Sequence, residues 1–294
     1  MDFELTEEQR MLKESVERFV VDKYSFEQRS ELVYNGPGYS RDNWRLFAEM
    51  GWLALPFESK YGGMDGTPVE TAIVMEALGS GLVLEPYLST VVMGGGLIAA
   101  AASEAQKERL LPQIIAGDLT LAFAYLEPQS RFNPLDVETG VERTSDGYVL
   151  NGHKSVVYQG NSADSIIVSA RSAGGPRERQ GISLLLLEQD MAGVSRRDYK
   201  TVDGQWASEF FFDNVTLSED ALLGEEGRAI GVIEHTLDRV ISAVCAEAVG
   251  AMFAANDITR EYILVREQFG AAIGTFQALQ HRWVDMYMEA EMAK

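Results

Sequence analysis

The 294 residues carry 25 Lys plus Arg against 45 Asp plus Glu, a formal net charge of −20, with 46% hydrophobic and 24% charged residues. This is globular composition, and the length suffices for one large or two to three modest cored domains, which excludes disorder as the main state. Cys245 is the only cysteine, so an internal disulfide and a cysteine metal cluster are excluded, and the negative charge disfavours nucleic acid and anionic membranes as partners.

The chain opens Met1-Asp2-Phe3-Glu4-Leu5, acidic where a signal or transit peptide is basic, so a soluble, cytoplasmic protein is expected. Residues 1–118 read as a helical domain. Thr6 with Gln9 forms a capping box, and Leu12, Val16, Phe19 and Val20 follow at helical spacing. Thr67-Pro68-Val69-Glu70 is a second helix start, ahead of Ile73, Val74 and Leu78 on one face. Between them and the next helix, Leu88 to Ala102 is weakly polar but too short to span a bilayer. Ser103 with Gln106 repeats the capping device before Leu110, Leu111, Ile114 and Ile115, and Gly117 is the stop.

Residues 119–226 change character. The Leu119 to Leu126 region, Tyr148-Val149-Leu150 after the Asp146-Gly147 turn, Ile166-Ile167-Val168, Leu184 to Leu187 and Phe210-Phe211-Phe212 are apolar runs of strand length. Gly, Asn, Asp and Ser separate them, which predicts a small barrel or sandwich. Ala173 to Gln180 reads as an exposed hairpin loop. Residues 227–294 are helical again and free of proline, with Ile233, Leu237, Val240, Ile241, Val244 and Val249 as an apolar face. The pattern at Trp283, Met286 and Tyr287 is still running at Lys294, so the third domain is read as cut short. Helices, then strands, then helices make the expected class α+β.

Local motifs assign little chemistry. His153, His235 and His281 have no second ligand at metal spacing, so no metal is expected and they read as solvated or helix-surface side chains. Gly94-Gly95-Gly96 follows no strand and fails the dinucleotide spacing at Ala99. Cys245, among Val244, Ala246 and Ala248, reads as a packed thiol.

Three longer stretches do carry a resemblance. They are Leu150-Asn151-Gly152-His153-Lys154 with Gly160-Asn161-Ser162-Ala163-Asp164; Glu209 to Val215 with Leu223-Gly224-Glu225-Glu226-Gly227; and Arg266-Glu267-Gln268-Phe269-Gly270 with Ile273-Gly274, Phe276-Gln277 and Trp283 to Met286. In this order, with Trp52 to Pro56 and Tyr61-Gly62-Gly63, the whole chain resembles the acyl-CoA dehydrogenase family. Lys154 to Val157 and Glu85 to Leu88 are similar to the small subunits of pimeloyl-CoA-type dehydrogenases.

The resemblance implies an N-terminal helical domain, a central β domain and a C-terminal helical bundle. It implies FAD, an acyl-CoA substrate, electron-transfer flavoprotein or a similar acceptor, and a homo- or hetero-oligomer, a tetramer built as a dimer of dimers, in fatty acid metabolism. Phe123, Tyr125 and Leu126 match the strand along the flavin ring, with Leu126 where threonine is usual. Val156 and Tyr158 match the tryptophan and threonine that cover the ring and bond its edge. Gln129-Ser130-Arg131-Phe132-Asn133 replaces the family's Gly-Ser-Asp turn. Arg266, Phe269 and Gln277 match positions that reach the FAD of a neighbouring subunit.

Two alternatives stand beside the dehydrogenase. One is a non-catalytic partner subunit that completes another chain's flavin site; the other is an oxidase or monooxygenase of the same fold. The family takes its base from one of two positions. One lies beyond residue 294; the other, ten residues before the helix glycine matching Gly250, is Val240 here, so the catalytic residue is unassigned. Asp238 is about 200° around the helix from that position, and Glu247 about 10 Å along it.

Overall fold

The computed structural model describes residues 4–36 and 38–294. In chain order its helices are α1 (Glu7–Lys23), α2 (Phe26–Tyr34), α3 (Arg41–Glu49), α4 (Pro68–Ser80), α5 (Gly96–Ala101), α6 (Glu104–Ile115), α7 (Ile230–Val265) and α8 (Gln277–Ala293). Its strands are β1 (Leu121–Ala124), β2 (Gly140–Thr144), β3 (Gly147–Tyr158), β4 (Ser165–Arg171), β5 (Ile182–Glu188), β6 (Val194–Lys200), β7 (Trp206–Leu217), β8 (Leu222–Leu223), β9 (Glu267–Gln268) and β10 (Ala271–Ala272). The α+β class is as expected from the sequence. Among the described residues no helix is long and apolar enough to cross a membrane.

The elements gather into two units. One comprises Met1–Glu31, Pro68–Val83 and Ile241–Lys294, and its described residues form helices and the β9–β10 hairpin. The Thr6–Gln9 box starts α1 with both reciprocal bonds made, and Glu70 of α4 accepts from Gln9 Nε2 at 2.7 Å. Lys13 of α1 reaches Glu76 of α4 at 2.9 Å. Helices α4 and α7 cross with their backbones in contact, because each presents a glycine there, Gly79 and Gly250.

The other unit comprises Leu32–Thr67 and Leu84–Val240. Its mixed sheet runs β6-β7-β3-β2-β4-β5-β8, with β1 parallel to β4 from Leu121↔Ser165 to Ala124↔Val168. Most other pairs are antiparallel, with a single parallel contact between β2 and β4. Tyr148, Leu150, Val157, Ile166, Val168, Leu185, Phe210 and Phe212 fill the core.

Strand period explains the Phe210-Phe211-Phe212 run: alternate side chains face opposite sides, so Phe210 and Phe212 are buried and Phe211 is exposed. Strand β6 has no apolar run because it is an edge strand, largely exposed and carrying Arg196, Arg197, Asp198 and Lys200. Charge on an edge blocks pairing with another chain.

Residues Tyr87–Gly95 form a buried π-helix behind β1. Thr90 Oγ1 accepts from Leu121 N at 3.0 Å, and Ser89 donates to Gln159 at 2.6 Å. The Gly94–Gly96 run is a packing device: a Cβ at Gly94 would lie 2.5 Å from Leu121, and one at Gly95 2.5 Å from Phe57.

Candidate functional site

Five of the residues matched to flavin contacts lie in the sheet-bearing unit: Phe123 on β1, Tyr125 and Leu126 just after it, and Val156 and Tyr158 on β3. Phe123 and Tyr125 are two residues apart and therefore on one side of an extended chain. Their rings stack at 4.9 Å with 19° between planes. Phe123 is buried, so any contact it makes with a ligand runs through its backbone, whereas Tyr125 and Leu126 are half-buried. The Leu126 carbonyl accepts from Ser155 N at 2.9 Å, which ties the segment after β1 to β3.

There β3 breaks register. Its pairing with β7 shifts between Lys154 and Val157, and Val156 takes φ +51°, with its side chain 46% exposed. A β-branched residue in the left-handed region is strained, and such strain persists only where surrounding structure enforces it. The Tyr199 hydroxyl on β6 bonds the Val156 backbone N–H, while burial pushes the Tyr199 phenol up. Tyr158 turns its hydroxyl away to Asp203, 3.1 Å off. Burial opposes the Asp203 charge, but bonds from Thr201, Gln205 N and Tyr158 outweigh it and hold the carboxyl below its usual range. The Tyr158 hydroxyl is thus already engaged with a protein group.

Beneath this surface lies a group absent from the sequence reading. Lys154, fully buried, sits 2.6 Å from the Glu127 carboxylate and donates to Ser169 Oγ at 3.1 Å. Glu127 also accepts from Glu138 N at 2.8 Å, Thr139 N at 3.1 Å and Gln129 Nε2 at 2.7 Å. Burial opposes the Glu127 charge, yet Lys154 and these donors hold the carboxyl below its ordinary range. Burial also pulls the Lys154 ammonium down to about 8, against the attraction of Glu127. Strand parity carried the missed signal. Leu150, Gly152 and Lys154 share a face of β3, and a lysine on a face that buries leucine needs a buried acid.

The turn that replaces Gly-Ser-Asp is built around the same glutamate. Ser130 Oγ accepts from Glu127 N and donates to Glu127 O, both at 2.9 Å. Arg171 then fastens the neighbouring loops. Its guanidinium donates to the carbonyls of Leu135, Pro176, Glu178 and Gln180 within 2.9 Å. The Ala173–Gln180 hairpin is therefore anchored to the 127–139 segment.

The remaining three matched residues lie in the helical unit. Arg266 follows α7 directly, Phe269 sits in the turn of the β9–β10 hairpin, and Gln277 starts α8. Phe269 and Gly270 have φ of +54° and +80°, the two left-handed residues of a type I′ turn. Phenylalanine is unusual there, and its side chain is 95% exposed. Its ring meets Phe276 edge-on at 6.3 Å, while Arg266 and Gln277 are exposed. An exposed guanidinium, ring and amide can bind an anionic, aromatic ligand.

Val240 is buried, Asp238 is exposed and Glu247 is half-buried on α7. Cys245 is exposed, not packed as the sequence suggests, because its neighbours Val244 and Ile241 also face outward. His153 is neither a helix residue nor freely solvated: it lies on β3 and stacks on Phe211 at 4.3 Å. Val284, Met286 and Tyr287 of α8, with Phe276 just before it, are exposed apolar side chains.

Sequence models of three domains match the chain: acyl-CoA dehydrogenase N-terminal domain over residues 6–118, middle domain over 122–215 and C-terminal domain over 228–294. The chain is 30% identical to mitochondrial isovaleryl-CoA dehydrogenase of Pongo abelii over 290 residues, covering 96% of this chain and 68% of that protein. It is similar in structure to butyryl-CoA dehydrogenase from Megasphaera elsdenii, with TM-score 0.90 and 27% identity, covering 99% and 78% of the two chains. It is also similar to PigA with FAD and proline, with TM-score 0.90 and 25% identity, covering 99% and 77%.

Proposed function

The chain belongs to the acyl-CoA dehydrogenase family, a family of FAD enzymes, and on that premise we propose that its β1–β3 surface carries the α,β-dehydrogenation of an acyl-CoA thioester. The observation that carries this reading is the β3 bulge at Val156. A strained, exposed apolar residue beside half-buried Tyr125 and Leu126 suits a flat ring better than solvent. FAD, when bound, accepts the β-hydrogen as hydride. The chain's own task is to hold the ring along Phe123, Tyr125 and Leu126 and to exclude water beside Val156.

Arg266, Phe269 and Gln277 are proposed to reach the FAD of a neighbouring subunit, the guanidinium toward pyrophosphate and the Phe269 ring toward a flat base. This requires at least a dimer, and a tetramer is the arrangement proposed. Arg266→Ala removes charge-assisted bonds of about 1.5–3 kcal/mol, so FAD affinity is expected to fall about 10- to 100-fold. Flavin fluorescence titration measures the loss. An unchanged dissociation constant, or a monomer by sedimentation at micromolar concentration, refutes this role.

The α-proton base is proposed to come from outside residues 1–294 or from a second polypeptide. Val240 cannot accept a proton, and neither Asp238 nor Glu247 lies within proton-transfer reach of that position. Asp238→Ala and Glu247→Ala, made in the full-length active assembly, are expected to retain exchange of the acyl-CoA α-proton into D2O. Loss of exchange with flavin content and thioester binding intact would identify the base on α7.

A second reading is favoured by the Tyr158–Asp203 bond, which occupies the hydroxyl at the position matched to flavin-edge bonding. In it the chain is the partner subunit of a heteromeric dehydrogenase. Visible absorption separates the two: flavin near one per protomer in the purified chain supports the enzyme, and colour acquired only with a second polypeptide supports the partner. The acyl group is proposed to be medium-length or dicarboxylic, from the likeness to pimeloyl-type subunits, with an electron-transferring flavoprotein or similar acceptor taking the electrons. Turnover across a panel of acyl-CoA thioesters tests the acyl class.

A further inference from the structure

Resting on the flavin reading, we infer that the buried Lys154–Glu127 pair is a positioning device that fixes the gap between Leu126 and Val156, the two edges of the ring-binding surface. Glu127 adjoins Leu126 in sequence, and Lys154 is two residues from Val156. Their 2.6 Å contact and the 2.9 Å bond from Ser155 N to Leu126 O are two successive ties between the same segments. The Tyr199 hydroxyl holds the bulge from the β6 side, and these two ties hold it to the segment that follows β1.

The bonding around Glu127 indicates where the tie is directed. Its carboxylate collects the side chain of Gln129 and the backbone N–H groups of Glu138 and Thr139. The same residue therefore closes the rebuilt 127–133 turn and the approach to β2. Lys154 adds β4 through Ser169. Four stretches of backbone converge on one ion pair, immediately under the residues proposed to touch the ring.

Burying two charges is costly, and a well-packed apolar pair of similar size serves stability as well or better. What an apolar pair lacks is direction: a carboxylate with four donors fixes the position of each donor segment to hydrogen-bond tolerance. A left-handed valine requires such enforcement, because strain at φ +51° relaxes where the neighbouring chain can move. The inferred role is therefore one of ring geometry and is distinct from overall stability.

The test compares wild type, Glu127→Gln, which is isosteric, and the double variant Glu127→Gln/Lys154→Met, which removes both charges at similar volume. Each assembled protein is titrated with FAD after removal of its flavin, and its melting temperature without FAD and its bound-flavin visible spectrum are recorded. Both variants are expected to bind FAD about tenfold or more weakly, with an altered visible band, while the double variant melts near wild type. A purely structural pair would move melting but leave the band of the flavin that does bind unchanged. Wild-type affinity and an unchanged band in both variants overturn the inference. Failure of wild type itself to take up FAD overturns the flavin reading, a separate result seen before any variant is made.

Discussion

A single methyl group at position 250 is expected to lower the melting temperature of the helical unit by about 12–24 °C. The Cβ of Gly250→Ala would lie 1.8 Å from the Glu76 carbonyl oxygen and 3.0 Å from Ser80 N, all backbone atoms of α4. Gly79 meets the reciprocal constraint, its Cβ 2.0 Å from the Glu247 carbonyl oxygen of α7. No side-chain rotation relieves either clash, so the helices must separate and give up packing along their crossing. Overpacking costs about 1–3 kcal/mol and occasionally more, and a backbone-to-backbone contact belongs at the upper end. At about 4–8 °C per kcal/mol for a unit of about 100 residues, the shift follows.

The control has the opposite sign. Gly231, also on α7, has open space around its Cβ. Gly231→Ala gains helix propensity without a clash, a stabilisation of up to about 1 kcal/mol. Calorimetry on both variants checks the pair of signs. A Gly250→Ala protein that melts with or above wild type shows that the close crossing does not form in solution.

That crossing leaves no local mark in the sequence, because its two glycines lie on helices far apart in the chain. Thr6 with Gln9 and Ser103 with Gln106 were legible as helix starts because both partners of each bond lie within one turn. The Gly117 stop was equally local, with φ +77°. The core strands were legible because β4 and β5 are covered on both faces and so read as unbroken apolar runs. Strand β6 was not, because an edge strand's pairing partner, β7, leaves no mark in a sequence such as Ser195-Arg196-Arg197-Asp198. The site divides in the same way. Arg266, Phe269 and Gln277 stand in one short stretch, and their shared exposure could be anticipated. Glu127 and Lys154 are 27 residues apart, and only β-sheet pairing makes them neighbours. The Tyr158–Asp203 bond is of the same kind, set by how the loop after β6 turns back.

The largest single loss is expected at Lys154. Lys154→Met leaves the Glu127 carboxylate buried with neutral donors only, which costs about 3–5 kcal/mol, whereas the double variant Glu127→Gln/Lys154→Met is expected to fall within about 1 kcal/mol of wild type. The two single variants and the double variant therefore define a cycle with strong coupling, measured by chemical denaturation. Alkaline pH gives a second signature. Burial lowers the Lys154 proton affinity to about pH 8; Glu127 opposes this and the Arg171 charge reinforces it. Unfolded, the same side chain titrates near pH ~10.4. Between these values the unfolded chain binds more protons than the folded one, so this group's contribution to stability rises with pH. The cost of the buried ammonium is present in full below about pH 8 and is relieved toward pH ~10.4, by up to about 3 kcal/mol. A chain of net charge −20 also loses stability at high pH through self-repulsion, and this loss is shared by wild type and the double variant. The stability of wild type minus that of the double variant is therefore expected to climb between pH 8 and 10. Parallel pH profiles would mean that Lys154 titrates alike in the folded and unfolded chains and that the pair is open to water.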